Sequence, residues 1–413
     1  MATIEEYAKK YTIEMYMTPK EIEYRSSIIE QNGLNFNDLM KMISEYRKKN
    51  RHILLESNGR CFSYTMTKEL RKRIEKINGF WRTVEYMTQT VFAKNLIMDT
   101  LIAEAYHSST IEGAHTTYKR TEELIKEKLS PKDRSEQMVV NNFHGLEFAE
   151  KEKKIDIDFL LKLHKIVTEN TLEQREDEGK FRNGPVDIRN AQQKVIFSPV
   201  ANIKTMRSML DDMLSFVNEE DDFKQPVECI VKAMTLHFLY GFIHPHFDGN
   251  GRTLRILFTQ LLIGCGYDMF RYITLSEIIL EERKEYEKAF IDVERNKVDS
   301  NTYDLTYFFY FLTDIMLKAL DRLALRIEKY TLEDRMKKKI KKLGIVLTPL
   351  QERIIRSVVR SQIQMDIKTL AKRLKVSSTT IRKHISVLTD TGLLKRKRIG
   401  RSFYYFPNPE IES

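Results

Sequence analysis

Residues 244–252 read His-Pro-His-Phe-Asp-Gly-Asn-Gly-Arg, and Arg255 follows three positions on. The types and spacing suit one kind of chemistry. His244 carries an imidazole that titrates near neutrality and can take a proton from an attacking hydroxyl. Asp248 offers a hard oxygen ligand for a magnesium ion shared with phosphates. Gly249 and Gly251 leave backbone N–H groups bare around Asn250. Arg252 and Arg255, three apart, share one face of a helix and can fork onto phosphate oxygens. A base, a metal ligand and a phosphate cradle together point to chemistry at a nucleotide phosphate.

Elements must hold these groups in place. Residues 256–263 are apolar and end at Gly264, the pattern of a buried helix. The glycines then stand at its N-terminus, where unpaired N–H groups and the helix dipole favour anions. Residues 96–105 carry apolar side chains at helical spacing. That helix should end near Glu112, with Gly113 as a left-handed cap. Between residues 179 and 199 two short β-prone runs flank a polar turn at residues 189–194, which predicts a hairpin.

The string His244, Pro245, Asp248, Gly249, Asn250, Gly251, Arg252, Arg255 resembles the signature of the Fic family. It departs at His246, where the family usually has Phe; Phe247 is adjacent. The departure bears on loop packing more than on chemistry. The run 237–243 also resembles the helix that leads into that signature. The resemblance implies a mainly α fold: a Fic-type helical core with a small β-hairpin flap. It implies transfer of AMP from ATP to a Tyr, Thr or Ser hydroxyl of a target protein. His244 would be the general base, and Asp248 would hold Mg2+. Gly249, Asn250, Gly251 and Arg252 would bind the α- and β-phosphates, and Arg255 the γ-phosphate. Ser108, Glu112 and Gly113 resemble the family's inhibitory motif. That implies an ion pair between Glu112 and Arg255 that spoils the γ-phosphate site. The hairpin resembles the family's flap, whose edge can pair with a target's extended chain. Three other readings stay open. One is a hydrolase that uses Glu112 to remove AMP from the target. Another is a DNA-binding regulator that only senses nucleotide. The third is transfer of a phosphate or a different nucleotide.

The rest of the chain sets bounds. Its 413 residues allow two to three domains. Cys61, Cys229 and Cys265 show no metal-ligand spacing and fit a reducing compartment. No apolar core follows the first residues as in a secretory signal, and no run is long enough to span a bilayer. A cytoplasmic protein without membrane contact is expected.

Charge is uneven. The chain is +10 overall. Residues 344–413 hold 14 Lys and Arg against 5 Asp and Glu, or +9, which leaves +1 for the rest. Such asymmetry points to nucleic acid. Thr348-Pro-Leu-Gln351 is a capping box, and Leu350, Ile354, Ile355, Val358 and Val359 make a buried stripe behind it. Helices should follow from Asp366 and from Ser377. A strand, a turn at Gly400 and a second strand complete a winged helix-turn-helix pattern. Ser378, Thr379, Thr380, Arg382 and Lys383 would face a major groove. Lys395, Arg396, Lys397, Arg398 and Arg401 would meet phosphates.

These readings divide the chain into a helical lobe at 1–90, a Fic-type domain at 91–320, a linker helix at 321–343 and a winged-helix domain at 344–413. The lobe, broken at residues 78–81, could support a homodimer.

Overall fold

A computed structural model describes residues 3–31, 33–88, 93–152, 154–189, 195–219, 226–360 and 365–408. The chain divides into two compact units, Met1–Leu320 and Asp321–Ser413.

The first unit is built on two helices that share the central motif. Pro226–Ile243 leads into it and Asn250–Gly264 leaves it. Ile230, Met234, Leu239 and Ile243 are buried on the lead helix, and Leu254, Leu257, Phe258 and Leu262 on the motif helix. Apolar side chains all round the lead helix place it inside the domain rather than on a face. The two helices pack on one another, and Ile203–Asn218 flanks the first. Helix Ala93–Ile111 lies against Arg134–Ala149 and Leu275–Glu281.

The N-terminal residues differ from the all-helical expectation. Arg51–Ser57 and Arg60–Thr65 form an antiparallel hairpin around Asn58 and Gly59. Both turn residues have positive φ, 49° and 73°. That combination matches the twist of the strands, and Asn-Gly supports it at low cost. Thr302–Asp304 adds in parallel to the second strand. The predicted break at residues 78–81 is absent, because helix Lys68–Thr88 runs through it. A Cβ on Gly79 would meet nothing within 4 Å. The glycine therefore weakens the helix only by its entropy, about 1 kcal/mol.

Residues near the N-terminus have a small core of their own, with Ala8, Ile22, Ile29, Leu39 and Ile43 buried. A buried polar cluster joins this part to the later chain. Arg47 donates to Tyr307 Oη at 2.7 Å, and Tyr16 donates to Asp304.

The C-terminal unit follows its sequence pattern closely. Thr348 caps helix Pro349–Arg360, with Gln351 bonding back to the Thr348 N–H at 2.8 Å. Helices Ile367–Leu374 and Ser378–Asp390 are capped by Asp366 and Ser377. Leu394–Ile399 and Ser402–Pro407 pair as the wing. A third strand, Met365–Asp366, pairs with Ser402–Pro407 and went unread, since two residues carry no periodicity. Ile354, Leu370, Ile381, Ile385 and Leu388 fill the core between the helices. Helix Thr306–Lys342 passes the division between the units. Among the described residues, no helix is long and apolar enough to cross a membrane.

Candidate active site

The motif loop folds around its own side chains. Gly249 caps the motif helix with φ +81°, and a Cβ there would lie 2.5 Å from Thr168 Cγ2. Glycine is required on both counts. Asn250 is buried, and its amide makes two bonds inside the loop. It accepts from the His246 N–H at 3.0 Å and donates to the His246 carbonyl at 2.8 Å. The Asn250 side chain thus shapes the loop, while its backbone N–H stands outside these two bonds. The first helical bond runs from Thr253 N–H to Gly249 O, so the N–H groups of Asn250, Gly251 and Arg252 precede it.

His244 adopts a left-handed backbone, φ +49°. Such a conformation costs a non-glycine residue on the order of 1–3 kcal/mol and persists only where neighbours enforce it. Arg182, fully buried, does so. It donates to the carbonyls of His244 (2.8 Å), Gly184 (2.8 Å) and Val200 (2.6 Å), and its own N–H bonds Pro245 O at 2.9 Å. Sequence reading missed this role, although an arginine inside a β-prone run was a usable signal.

His246 occupies the family's Phe position as a ring would. It is fully buried and stacks on His164, with centroids 3.6 Å apart and planes within 8°. Its Nδ1 meets the Lys180 carbonyl at 2.7 Å, a bond that Phe lacks. His164 accepts from the Gly179 N–H at Nδ1, so its Nε2–H donates to the Asp248 carbonyl at 2.8 Å. Burial lowers the pKa of His164 to about 4, that of His237 to about 3 and that of His246 well below 6.5. The unfolded chain would protonate these rings near 6.5. Their contribution to stability is therefore complete above 6.5 and falls as pH drops from 6.5 toward 4.

Arg252 is fully buried and gives one bond, Nη1 to Val167 O at 2.8 Å. Its Nε and Nη2 have no partner within hydrogen-bond reach, and Nη2 lies 4.0 Å from Asp248. Burial lowers its pKa, though a guanidinium stays charged. Asp248 is half exposed and also 3.4 Å from Arg134. No three His, Cys, Asp or Glu side chains among the described residues converge as a metal cluster. A single accessible carboxylate fits magnesium when phosphate oxygens and water complete the shell.

Glu112 and Arg255 meet although they lie 143 residues apart, with Oε1 2.9 Å from Nη2. Arg255 also donates from Nε to Ser108 Oγ (2.8 Å) and from Nη2 to Ser108 O (2.9 Å). Gly113 has φ +88°, just past the end of helix Ala93–Ile111. Burial pushes the Glu112 pKa up, but Arg255, aided by Arg252 and Arg283, brings it below the ordinary carboxylate value. A Cβ on Gly251 would stand 2.1 Å from Glu112 Oε1. The carboxylate therefore lies directly against the N-terminal turn of the motif helix, where an anion is best accommodated.

A cleft of about 560 Å3 opens here. Glu112, His244, Gly251 and Arg255 line one part. Phe197, Phe242, Tyr286 and Phe290 supply aromatic surface elsewhere in it. Ile188–Arg189 and Val195–Phe197 pair as short antiparallel strands beside it, and Ile188 and Phe197 line it. The predicted turn lies largely outside the described residues, which omit 190–194.

Residues 154–262 match the model of the Fic/DOC family, and residues 351–403 that of a DeoR-like helix-turn-helix domain. The chain carries a Fic/DOC domain. A protein adenylyltransferase fic-1 of Caenorhabditis briggsae is 23% identical over 207 residues, 48% of this chain and 38% of that protein. Protein adenylyltransferase Fic of Nematostella vectensis is 27% identical over 183 residues, 42% of this chain and 40% of that protein. The chain thus spans about two fifths of the length of these relatives. A crystal structure of a Fic family protein from Desulfovibrio desulfuricans G20 superposes with a TM-score of 0.54 at 19% identity. That likeness covers 83% of this chain and 97% of the other, and establishes the fold. The Fic domain is thus mainly helical, with only small sheets, and is followed by the helix-turn-helix domain.

Thr379, Arg382 and Lys383 are exposed on helix Ser378–Asp390 of the second domain. Thr380 is half-buried, and its hydroxyl lies 2.7 Å from that of the capping Ser377. Lys395, Arg396, Lys397, Arg398 and Arg401 are exposed on the wing, with the Arg396 guanidinium 5.3 Å from the Phe403 ring.

Proposed function

We propose that the protein is an adenylyltransferase that moves AMP from ATP to a hydroxyl side chain of a target protein, held in check by Glu112. The observation that carries this is the Glu112 carboxylate lying against the motif helix's N-terminal turn while bonded to Arg255. A carboxylate there stands in for a phosphate, and the same groups would bind one once it leaves. His244 would remove the target's proton. Asp248 would hold Mg2+ together with phosphate oxygens. The Gly249 N–H, expected to be bare, is instead bonded to Asp248 Oδ1 at 2.5 Å. The N–H groups of Asn250 and Gly251, with Arg252, would bind the α- and β-phosphates, and Arg255 the γ-phosphate. In-line transfer of this kind needs positioning and charge neutralisation above all. Names of the relatives support ATP as donor and proteins as acceptors. The test is the position of the label. With Glu112→Gly protein, ATP labelled at the α-phosphate should mark protein and γ-labelled ATP should not. Marking by the γ-label would make the reaction phosphoryl transfer, and marking by neither would overturn the transferase reading in favour of the hydrolase or the nucleotide sensor.

For the second domain we propose duplex DNA as partner, with helix Ser378–Asp390 in the major groove and the wing on phosphates. The exposed cations on both elements support this. Binding should then fall steeply with salt, at a slope of about −0.9 per phosphate contact in log–log terms. Reversing charge at Lys397 and Arg398 should lower that slope by roughly 2 and leave nucleotide transfer unchanged. Salt-independent retention on DNA would remove this assignment.

A further inference from the structure

Three polar residues in and just past helix Ala93–Ile111 lie close to one line. Glu104, Ser108 and Glu112 stand four apart, the spacing that stacks side chains along one helical face. Ser108 and Glu112 meet Arg255. Glu104 has a different partner. It is buried, and each of its carboxyl oxygens bonds Ser276: Oε2 accepts from the backbone N–H at 3.1 Å, and Oε1 meets the hydroxyl. Ser276 is fully buried at the start of helix Leu275–Glu281, which packs on helix Ala93–Ile111. Helix Leu275–Glu281 supplies none of the described residues that line the cleft. Burying a carboxyl group is costly unless its oxygens are bonded, so Glu104 resists any movement that parts it from Ser276.

The turn that carries Glu112 is tied to the helix before it. The N–H groups of Glu112 and Ala114 bond Ser109 O at 3.1 and 3.0 Å, and that of Gly113 bonds Thr110 O at 3.0 Å. Glu112 therefore follows the helix. Its bond to Arg255, at 2.9 Å, is lost if the carboxylate withdraws by about 0.7 Å, so a small slide or roll undoes the pair. Ser109 and Asn142 join the helix to Arg134–Ala149 by single bonds to carbonyls, at 3.2 and 3.4 Å. Glu104 attaches it by two bonds, on the line that leads to Glu112. We propose that Glu104 and Ser276 form a latch that sets the height and rotation of helix Ala93–Ile111 and so holds the Glu112 carboxylate against Arg255. Both are positioning residues that act through Glu112. The latch rests on the self-inhibited reading above and adds where the restraint is anchored: on an element outside the cleft.

The experiment measures self-modification by the full chain, with Glu112 and with Glu112→Gly. With Glu112 present, Ser276→Ala and Glu104→Ala should each raise it roughly 2- to 30-fold, the span for a mutation that modulates coupling through packed contacts. Glu104→Gln keeps a carbonyl oxygen for the Ser276 N–H and should raise it less. In the Glu112→Gly background none of the three should change the rate by more than about twofold, because the residue they act through is gone. Amide exchange supplies a readout without turnover. It should quicken at Gly113 and Ala114 in Ser276→Ala, while the amides of helix Asn250–Gly264 keep their protection. No gain in the presence of Glu112, an equal change in both backgrounds, or unchanged exchange at Gly113 and Ala114 would overturn the latch. A Glu112→Gly protein no more active than its parent would instead overturn the self-inhibition on which the latch depends.

Discussion

Glu112→Gly should raise self-modification by roughly 5- to 150-fold, the span of a coupling worth about 1–3 kcal/mol between sites. The carboxylate occupies the N-terminal turn of the motif helix and one edge of Arg255. Removing it clears the anion site and frees a buried cation in one step. Arg255→Ala should not gain in this way, because it deletes the clamp with the inhibitor. The double variant should match Arg255→Ala, since one cation serves both states. Incorporation of α-labelled nucleotide checks all three. A change below about twofold in Glu112→Gly would mean that the pair is a surface contact of the usual small worth.

His244→Ala in the same activated background should lower transfer by about 10²–10⁴-fold, the usual worth of a positioned base. ATP affinity should hold, because the phosphates meet other groups. The pH profile gives a sharper test. Burial lowers the pKa of His244 to about 4, with the nearby Gly241 backbone and the charge of Glu112 acting in opposition. The ring is therefore neutral, and able to accept a proton, at every pH well above 4. The rate should stay flat from pH 8 down past 6, measured where the protein remains folded. Half-loss near 6.5 would mean an ordinary, solvated imidazole and an open loop.

Much of the chemistry was legible because it is local. The cradle, base and carboxylate lie within twelve residues, and a loop entering an apolar helix fixes their arrangement. The capping box and the apolar stripe of the C-terminal domain were equally plain, each being set by neighbours three or four apart. Arg182 was not, since its role depends on carbonyls brought from far along the chain. The hairpin at Asn58-Gly59 was missed for another reason. Its turn signal was present, but Ile53, Leu54 and Leu55 do not alternate with polar residues, and helical segments on both sides masked it. Residues 78–81 failed in the opposite sense: Gly79 looks like a breaker, yet the helix needs only that nothing oppose its continuation.

The parallel pairing of Thr302–Asp304 with Arg60–Thr65 has a consequence for how the chain assembles. A ribosome must deliver some 240 further residues before the early hairpin finds its neighbour. Until then its second strand keeps an open edge, a template for mispairing. Contacts of such sequence separation slow folding and favour passage through partly formed intermediates. The phosphate cradle is synthesised within that interval, so its loop exists before the sheet that packs on Phe242 of the lead helix can close. Acquisition of the site should therefore be a late event in the maturation of the first domain, set by topology more than by the strength of any one contact.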